Sequence, residues 1–112
     1  MSVRPARSKP PSTARLVRAK VVEQLPGADA HRVSRALNMS VRSLQRKLAQ
    51  EGTSFKAILD ESRHQLALQY VRDSELPLRE ITGRLGFSDP GNFARAFRRW
   101  EGISPNRYRR SA

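Results

Sequence analysis

The sequence contains no cysteine, so it can form neither a disulfide framework nor a thiolate metal site. Aromatic residues make up only 6% and apolar residues 38% of its 112 residues, which is little for one large core but enough for several short amphipathic helices. No apolar run approaches the roughly 18–20 residues that span a bilayer, and the N-terminus lacks the hydrophobic segment of a secretory signal. We therefore expect neither a membrane-spanning chain nor a disulfide-stapled secreted domain, and the lack of cysteine fits a reducing cytosol.

Acidic residues are also scarce. Ten Asp and Glu stand against 22 Lys and Arg, which gives a formal charge of +12. An excess of this size points to a polyanionic partner, and composition alone leaves both nucleic acid and an anionic membrane open.

What the sequence does contain is a near repeat of itself. Residues 33–40, VSRALNMS, are echoed 48 positions later by residues 81–88, ITGRLGFS. The echo closes with EGTS at 51–54 against EGIS at 101–104. Each copy has the pattern of a helix, a tight turn and a second helix. Two helix-turn-helix units in a small, very basic chain indicate a protein that reads two stretches of one DNA duplex.

Capping residues and helix stops predict an all-α fold of two lobes joined by a long helix, with no strand. We expect residues 1–13 to be a disordered basic tail or an interdomain linker and residues 14–112 to be folded. The first helix-turn-helix covers about 29–51, the linker helix about 54–72 and the second helix-turn-helix about 77–101. A helix over 13–24 precedes these units, and a short helix from Ser104 to Arg110 follows them.

Helical periodicity predicts which side chains face the core. The inward positions are Leu16, Val17, Val21, Val33, Ala36, Leu37, Val41, Leu44, Leu48, Phe93, Ala96, Phe97 and Trp100. Because their period is helical, we assign Phe93, Phe97 and Trp100 to the core rather than to a base-stacking platform. Glu61 and Arg63, in the middle of the linker helix, are expected at a solvated waist.

Turning these residues inward leaves polar side chains outside on the two helices expected to recognise DNA, about 41–51 and 90–100. Arg42, Gln45 and Arg46 lie together on the first, and Asn92 and Arg95 lie on the second. Arginine pairs with guanine and glutamine or asparagine with adenine in the major groove. We assign phosphate contacts to Ser40, Ser43, Lys47, Ser88, Arg98 and Arg99.

At this point a family resemblance becomes specific. Residues 81–109, ITGRLGFSDPGNFARAFRRWEGISPNRYR, resemble the C-terminal signature of the AraC/XylS family of bacterial transcription regulators. The stretch SVRSLQRKL at 40–48, followed by EGTSF at 51–55, resembles that family's first helix-turn-helix. The resemblance implies seven helices, with the third and sixth entering successive major-groove segments. It places base reading on Arg42, Gln45 and Arg46, then on Gly91, Asn92 and Arg95. The resemblance leaves Arg95 equally open to an internal ion pair with Glu80 or Glu101.

Two features depart from the family pattern. Ser34 and Thr82 stand where its supporting helices usually carry a small alanine, and Gly83 lowers helix propensity by about 1 kcal/mol, so the second lobe is expected to be looser. The chain also carries nothing that could serve as the effector-binding or dimerisation domain of most members. We favour reading its proline-rich start as an interdomain linker, with a small stand-alone regulator as the alternative.

The function that we expect is sequence-specific binding to double-stranded DNA, by an activator in the bacterial cytoplasm, on the nucleoid. An alternative is a protein-interaction module in which Gln65, Gln69 and Arg72 dock on RNA polymerase or another regulator domain. Binding to RNA or membrane by charge alone is a weaker reading, because surface-active helices would expose Phe and Trp. His31 and His64 are too far apart to suggest a metal site, no catalytic motif is present, and we expect no enzyme activity, cofactor or metal.

Overall fold

The computed structural model describes residues 12–111. Within that range the chain forms seven helices and no strand, which confirms the all-α expectation. The helices are α1 (Thr13–Gln24), α2 (Ala30–Ala36), α3 (Val41–Gln50), α4 (Phe55–Asp73), α5 (Leu78–Leu85), α6 (Pro90–Glu101) and α7 (Pro105–Ser111). Most of the predicted tail lies outside the described residues, but Ser12 already caps α1.

Six of the seven helices begin at a side chain that accepts a hydrogen bond from a backbone N–H three residues on. These caps are Ser12 for α1, Asp29 for α2, Ser40 for α3, Ser54 for α4, Asp89 for α6 and Ser104 for α7. Each satisfies a backbone donor that has no partner within the helix, which stabilises a helix by about 1 kcal/mol. The caps explain why helix boundaries could be predicted to within a residue or two.

The apolar side chains form two separate cores, one in each lobe. The first lobe, α1 to α3, buries Val17, Val21, Val33, Leu44 and Leu48 together with Ile58 of α4. The second lobe, α5 to α7, packs around Ile81, Leu85, Phe93 and Phe97 together with Ala67 and Val71 of α4. Helix α4 therefore supplies one of its halves to each core, as the sequence predicted.

Two predicted core positions are wrong. Leu16 is 39% exposed, because the buried stripe of α1 runs through Val17 and Val21 and Leu16 lies about 100° to one side of it. Ala36 is also exposed, and Ser34 is buried in its place. Helix α2 thus turns a different edge toward the core than the apolar pattern predicted.

The hydroxyls at the two departures from the family pattern are both buried and both satisfied. Ser34 donates to the carbonyl of His31 at 3.0 Å, and Thr82 donates to the carbonyl of Leu78 at 2.8 Å. A hydroxyl that bonds back to its own helix avoids the cost of an unpaired buried donor. Both supporting helices therefore accept these residues without disturbing the core.

The prediction that Arg63 lies at a solvated waist is also wrong. Its guanidinium is partly buried and donates to the carbonyls of Leu85 and Gly86. Burial lowers the pKa of Arg63 from its ordinary value, and the nearby charge of Asp60 opposes that change.

None of the helices described is long and apolar enough to cross a membrane.

Candidate nucleic-acid interface

Helix α3 presents a polar face opposite its buried stripe. Leu44 and Leu48 are fully buried, which leaves Arg42, Gln45 and Arg46 exposed. Helical spacing brings these three side chains onto neighbouring turns of one surface. The predicted base-reading residues of the first lobe thus lie together on one exposed surface.

The same helix is uniformly positive. It carries Arg42, Arg46 and Lys47 and no acidic residue. Within residues 12–111, the side chains of Arg42, Gln45 and Arg46 have no hydrogen-bond or ion-pair partner. Of the predicted phosphate contacts on this lobe, Lys47 is exposed, Ser43 is half-buried, and the Ser40 hydroxyl accepts the Ser43 backbone N–H at 3.0 Å. This face is therefore chemically available to a ligand.

Helix α6 has the same inward pattern but a different outer face. Phe93, Ala96 and Phe97 are buried, so the outer positions are Gly91, Asn92, Arg95, Arg98 and Arg99. Gly91 has no side chain with which to reach a base. Asn92 is half-buried, whereas the three arginines are exposed.

The polar side chains at the start of α6 bind one another. The Asn92 amide donates to the hydroxyl of Ser88 and, at 3.4 Å, to the carboxylate of Asp89. Its carbonyl accepts a hydrogen bond from Arg95. The two predicted base-reading side chains of this lobe are thus held in one network that includes the predicted phosphate contact Ser88.

The internal ion pair considered for Arg95 does not form. Glu80 instead pairs with Arg84, one helical turn away, at 3.2 Å. Glu101 lies 2.6 Å from the Nε2 atom of His64. Both candidate carboxylates have other partners, and Arg95 is directed toward Asn92.

Arg99 has a partner that the sequence did not predict. Its guanidinium lies 2.9 Å from a carboxylate oxygen of Asp60, whose second oxygen accepts the indole N–H of Trp100 at 3.1 Å. The ion pair is largely exposed, so it holds Arg99 only weakly. Arg98, the neighbouring predicted phosphate contact, is exposed.

A second contact joins α4 to α6 beside this pair. The His64 ring stacks on Trp100 with 4.8 Å between centroids and an interplanar angle of 16°, while its Nε2 atom meets Glu101. The partners are separated by 36 or 37 residues in sequence, so no local spacing could have revealed them. Together these contacts fix α6 against α4.

Glu51, which directly follows α3, connects the end of that helix to the start of α1. Its two carboxylate oxygens accept the backbone N–H groups of Thr13 at 2.9 Å and Ala14 at 2.8 Å, at the start of α1. The hydrogen bonds from Ala14 and then Thr13 lower the pKa of Glu51 from its ordinary value. The main partners of this carboxylate are therefore the backbone N–H groups of α1, and the charge of Lys47 in α3 contributes less to the lowered pKa.

Comparison with known proteins bears directly on this arrangement. A family model described as a helix-turn-helix domain matches residues 33–111, from α2 to the end of α7. The ornithine utilization regulator of Pseudomonas aeruginosa is 48% identical over 81 residues, which are 72% of this chain and 24% of that protein. The chain belongs to the AraC/XylS family. As an AraC/XylS domain it binds DNA in transcription regulation and is not an enzyme.

Solved structures agree with the AraC/XylS fold. A DNA-binding transcriptional dual regulator from Escherichia coli K-12 has a TM-score of 0.85 at 25% identity, covering 92% of this chain and all of that one. The DNA-binding domain of AdpA, in complex with a target DNA, has a TM-score of 0.72 at 26% identity, covering 90% of this chain and 93% of that one. The chain spans about a quarter of the length of the curated relatives that it matches.

Proposed function

We propose that this AraC/XylS domain binds one DNA duplex through two successive major-groove segments, with α3 in one and α6 in the other. The carrying observation is that both helices bury the same pattern of residues and turn arginines outward. As a monomer, the domain would span two segments about 34 Å apart, one helical turn of DNA. A similar fold, the DNA-binding domain of AdpA, has been solved in complex with a target DNA, which supports DNA binding by this fold.

The proposed contacts divide by chemistry. Arg42, Gln45 and Arg46 read bases from α3, and Asn92 and Arg95 read fewer bases from α6, where Gly91 allows close approach of the backbone. Phosphates are bound by Ser40, Ser43, Lys47, Ser88, Arg98 and Arg99. Because α3 carries more unpaired readers, the first lobe supplies most of the sequence preference.

Footprinting on a site selected from random DNA tests the two-segment model. We expect protection of two segments about one helical turn apart. We also expect affinity to fall steeply with salt, by about 1000-fold or more between 50 and 200 mM, if roughly six phosphates are neutralised. Protection of a single segment, or binding no stronger than to random competitor DNA, would contradict the proposal.

Two arginine variants separate the proposed roles. Arg46→Ala should relax base preference at its position, whereas Arg99→Ala should weaken binding to all sequences about equally. Arg110→Ala is a matched control, because it removes the same charge from an exposed position on α7. If Arg46→Ala and Arg99→Ala affect specific and random DNA in the same ratio, the division into base and phosphate contacts is wrong.

The domain would act as an activator on the bacterial chromosome, in the cytoplasm, within a longer regulator that supplies an effector-binding or dimerisation domain. One relative, 33% identical over 78 residues, is the transcriptional activator NphR of Rhodococcus. The share of its relatives that the chain covers supports the longer protein. A reporter driven by the selected site should rise in expression when the full-length protein is present, and a fall would indicate a repressor.

A second role, docking on RNA polymerase, is favoured by one observation. Gln65, Gln69 and Arg72 are all exposed along one side of α4. This role is compatible with DNA binding. Binding of the domain to purified RNA polymerase in the presence of nuclease, lost in a Gln65→Ala and Gln69→Ala double variant, would support it.

A further inference from the structure

The two lobes approach each other closely at the turn between α5 and α6. Gly86 ends α5 in the left-handed conformation, with φ of +84°. A β-carbon at this position would lie 2.6 Å from the carbonyl oxygen of Pro26, in the loop that follows α1 in the first lobe. Glycine is therefore required here both by the backbone conformation and by the neighbouring lobe.

Arg63 holds the same turn from the other side. Its Nε atom donates to the carbonyl of Leu85 at 2.8 Å and its Nη2 atom to the carbonyl of Gly86 at 3.0 Å. The guanidinium also covers the Phe87 ring, 4.7 Å from its centroid. A planar fork that binds two successive carbonyls and stacks on a ring is specific to arginine, since lysine offers a single ammonium group.

Arg63 lies between the half of α4 that packs in the first lobe and the half that packs in the second. Ile58 lies in the first core, and Ala67 and Val71 lie in the second, so Arg63 falls between the two halves of the helix. Phe87 in turn packs against Phe93 of α6, with 5.6 Å between ring centroids. The chain of contact therefore runs from the middle of α4, through the α5–α6 turn, to the recognition helix of the second lobe.

We propose that Arg63 is a positioning residue, which fixes α6 relative to α3 and thereby sets the number of base pairs the protein accepts between its two half-sites. This inference rests on the proposed two-segment mode of binding. Arg63 contacts backbone carbonyls and a core aromatic ring, so its influence on specificity is exerted through geometry rather than through base contacts.

The test is a spacing profile on the site selected from random DNA. The two half-sites are placed at their selected spacing and with one base pair removed or added, which rotates one half-site by about 35°. The native domain should lose affinity at least about tenfold per shifted base pair, the penalty of roughly one misread pair. Arg63→Met should lose less than about threefold on the same shifted sites, while its affinity for the first half-site alone stays within about twofold of native.

Two further variants control for charge and for folding. Arg18→Met also removes one positive charge, here from an exposed ion pair that joins α1 to Glu61 of α4 at 2.7 Å, and should keep the native spacing profile. Arg63→Lys retains the charge and one donor and should show an intermediate profile, which a loss of general stability would not produce. A native profile in both Arg63→Met and Arg63→Lys would overturn the proposal.

Lobe orientation can also be measured without DNA. The chain has no cysteine, so Gln50→Cys and Asn106→Cys would place one spin label in each lobe at exposed sites. Arg63→Met should broaden the distance distribution between the labels about twofold, and an unchanged width would count against the proposal. If instead the native domain protects only one DNA segment, the two-segment model fails, and with it the spacing role, even where the label distances depend on Arg63.

Discussion

The carboxylates of Glu51 and Glu101 occupy corresponding positions in the two lobes and hold different partners. Glu51 accepts the first backbone N–H groups of α1, whereas Glu101 meets the ring of His64 in the middle of α4. The α2–α3 and α5–α6 turns also share a backbone conformation and differ in what they contact. Asn38 adopts φ of 58° in the first lobe, and its counterpart Gly86 adopts a similar conformation against the carbonyl of Pro26.

The two lobes thus share their inward pattern and differ where each meets the rest of the molecule. The buried residues Val33, Leu44 and Leu48 have counterparts in Ile81, Phe93 and Phe97. The exposed outer positions are not constrained by core packing. A duplicated unit can therefore keep its shape while its two copies acquire different contacts.

Exchanging the turn residues between lobes gives the largest expected effect. Gly86→Asn keeps a residue that tolerates the left-handed conformation but places a β-carbon against Pro26. We expect the free energy of unfolding to fall by about 2–3 kcal/mol, the cost of an overlap with backbone. The reciprocal Asn38→Gly should change it by less than about 1 kcal/mol. Urea denaturation measures both, and equal losses would show that the lobes do not touch at this turn.

The next effect compares α3 with α6. If Arg46 reads a base directly, as we propose, Arg46→Ala should cost about 1–3 kcal/mol of binding to the selected site. Arg95→Ala should cost about half as much, since Arg95 must first give up its contact with Asn92. Competition binding at fixed salt compares the two variants. A larger loss for Arg95→Ala would reverse the assignment of sequence preference to the first lobe.

A smaller effect tests whether Gly83 loosens the second lobe. A β-carbon at Gly83 would meet nothing within 4 Å, and the residue is not among those with positive φ. Gly83→Ala should therefore raise the free energy of unfolding by about 0.5–1 kcal/mol. Gly52 is equally open but has φ of +82°, so Gly52→Ala should lower it by about 1–2 kcal/mol. Thermal denaturation that showed no gain for Gly83→Ala would mean that α5 is not limited by this residue.

The smallest effect is the pH dependence of the stability that Glu51 contributes through its hydrogen bonds to the start of α1. The lowered pKa of Glu51 means that its stabilising contribution is present above its ordinary value of 4.5 and is lost as the pH falls through the lowered value. The urea midpoint of the native domain should therefore fall more between pH 5 and pH 3 than that of Glu51→Gln. Glu75→Gln, at an exposed position before α5, should behave like the native domain. Parallel curves for the native domain and Glu51→Gln would contradict the role of this carboxylate.

Local signals account for most of what could be predicted. Asp29, Ser40 and Asp89 cap their helices through residues three positions away, which is a spacing that sequence shows directly. The repeated motif likewise predicted two lobes and the outward placement of Arg42 and Arg95. Their roles in DNA binding stay predictions until tested.

The unpredicted contacts that hold α4 against the second lobe join distant segments. Arg63 reaches carbonyls more than 20 residues away, and His64 reaches Glu101 across 37 residues. The burial of Ser34 in place of Ala36 likewise depends on how α2 packs against neighbouring helices. These contacts, and the edge of α2 that is buried, depend on how the helices pack in three dimensions. The apolar periodicity of the sequence does not specify that packing.

A helix shared by two cores also determines how the molecule loses its structure. Unfolding of either lobe would uncover the apolar face of one half of α4 and expose that face to water. That penalty makes it costly for one lobe to open while the other stays intact, so heat or urea should melt residues 12–111 in one cooperative transition. Cutting the chain after α3 or before α5 would leave a fragment without one wall of its core, so neither copy of the repeat constitutes an independent folding unit.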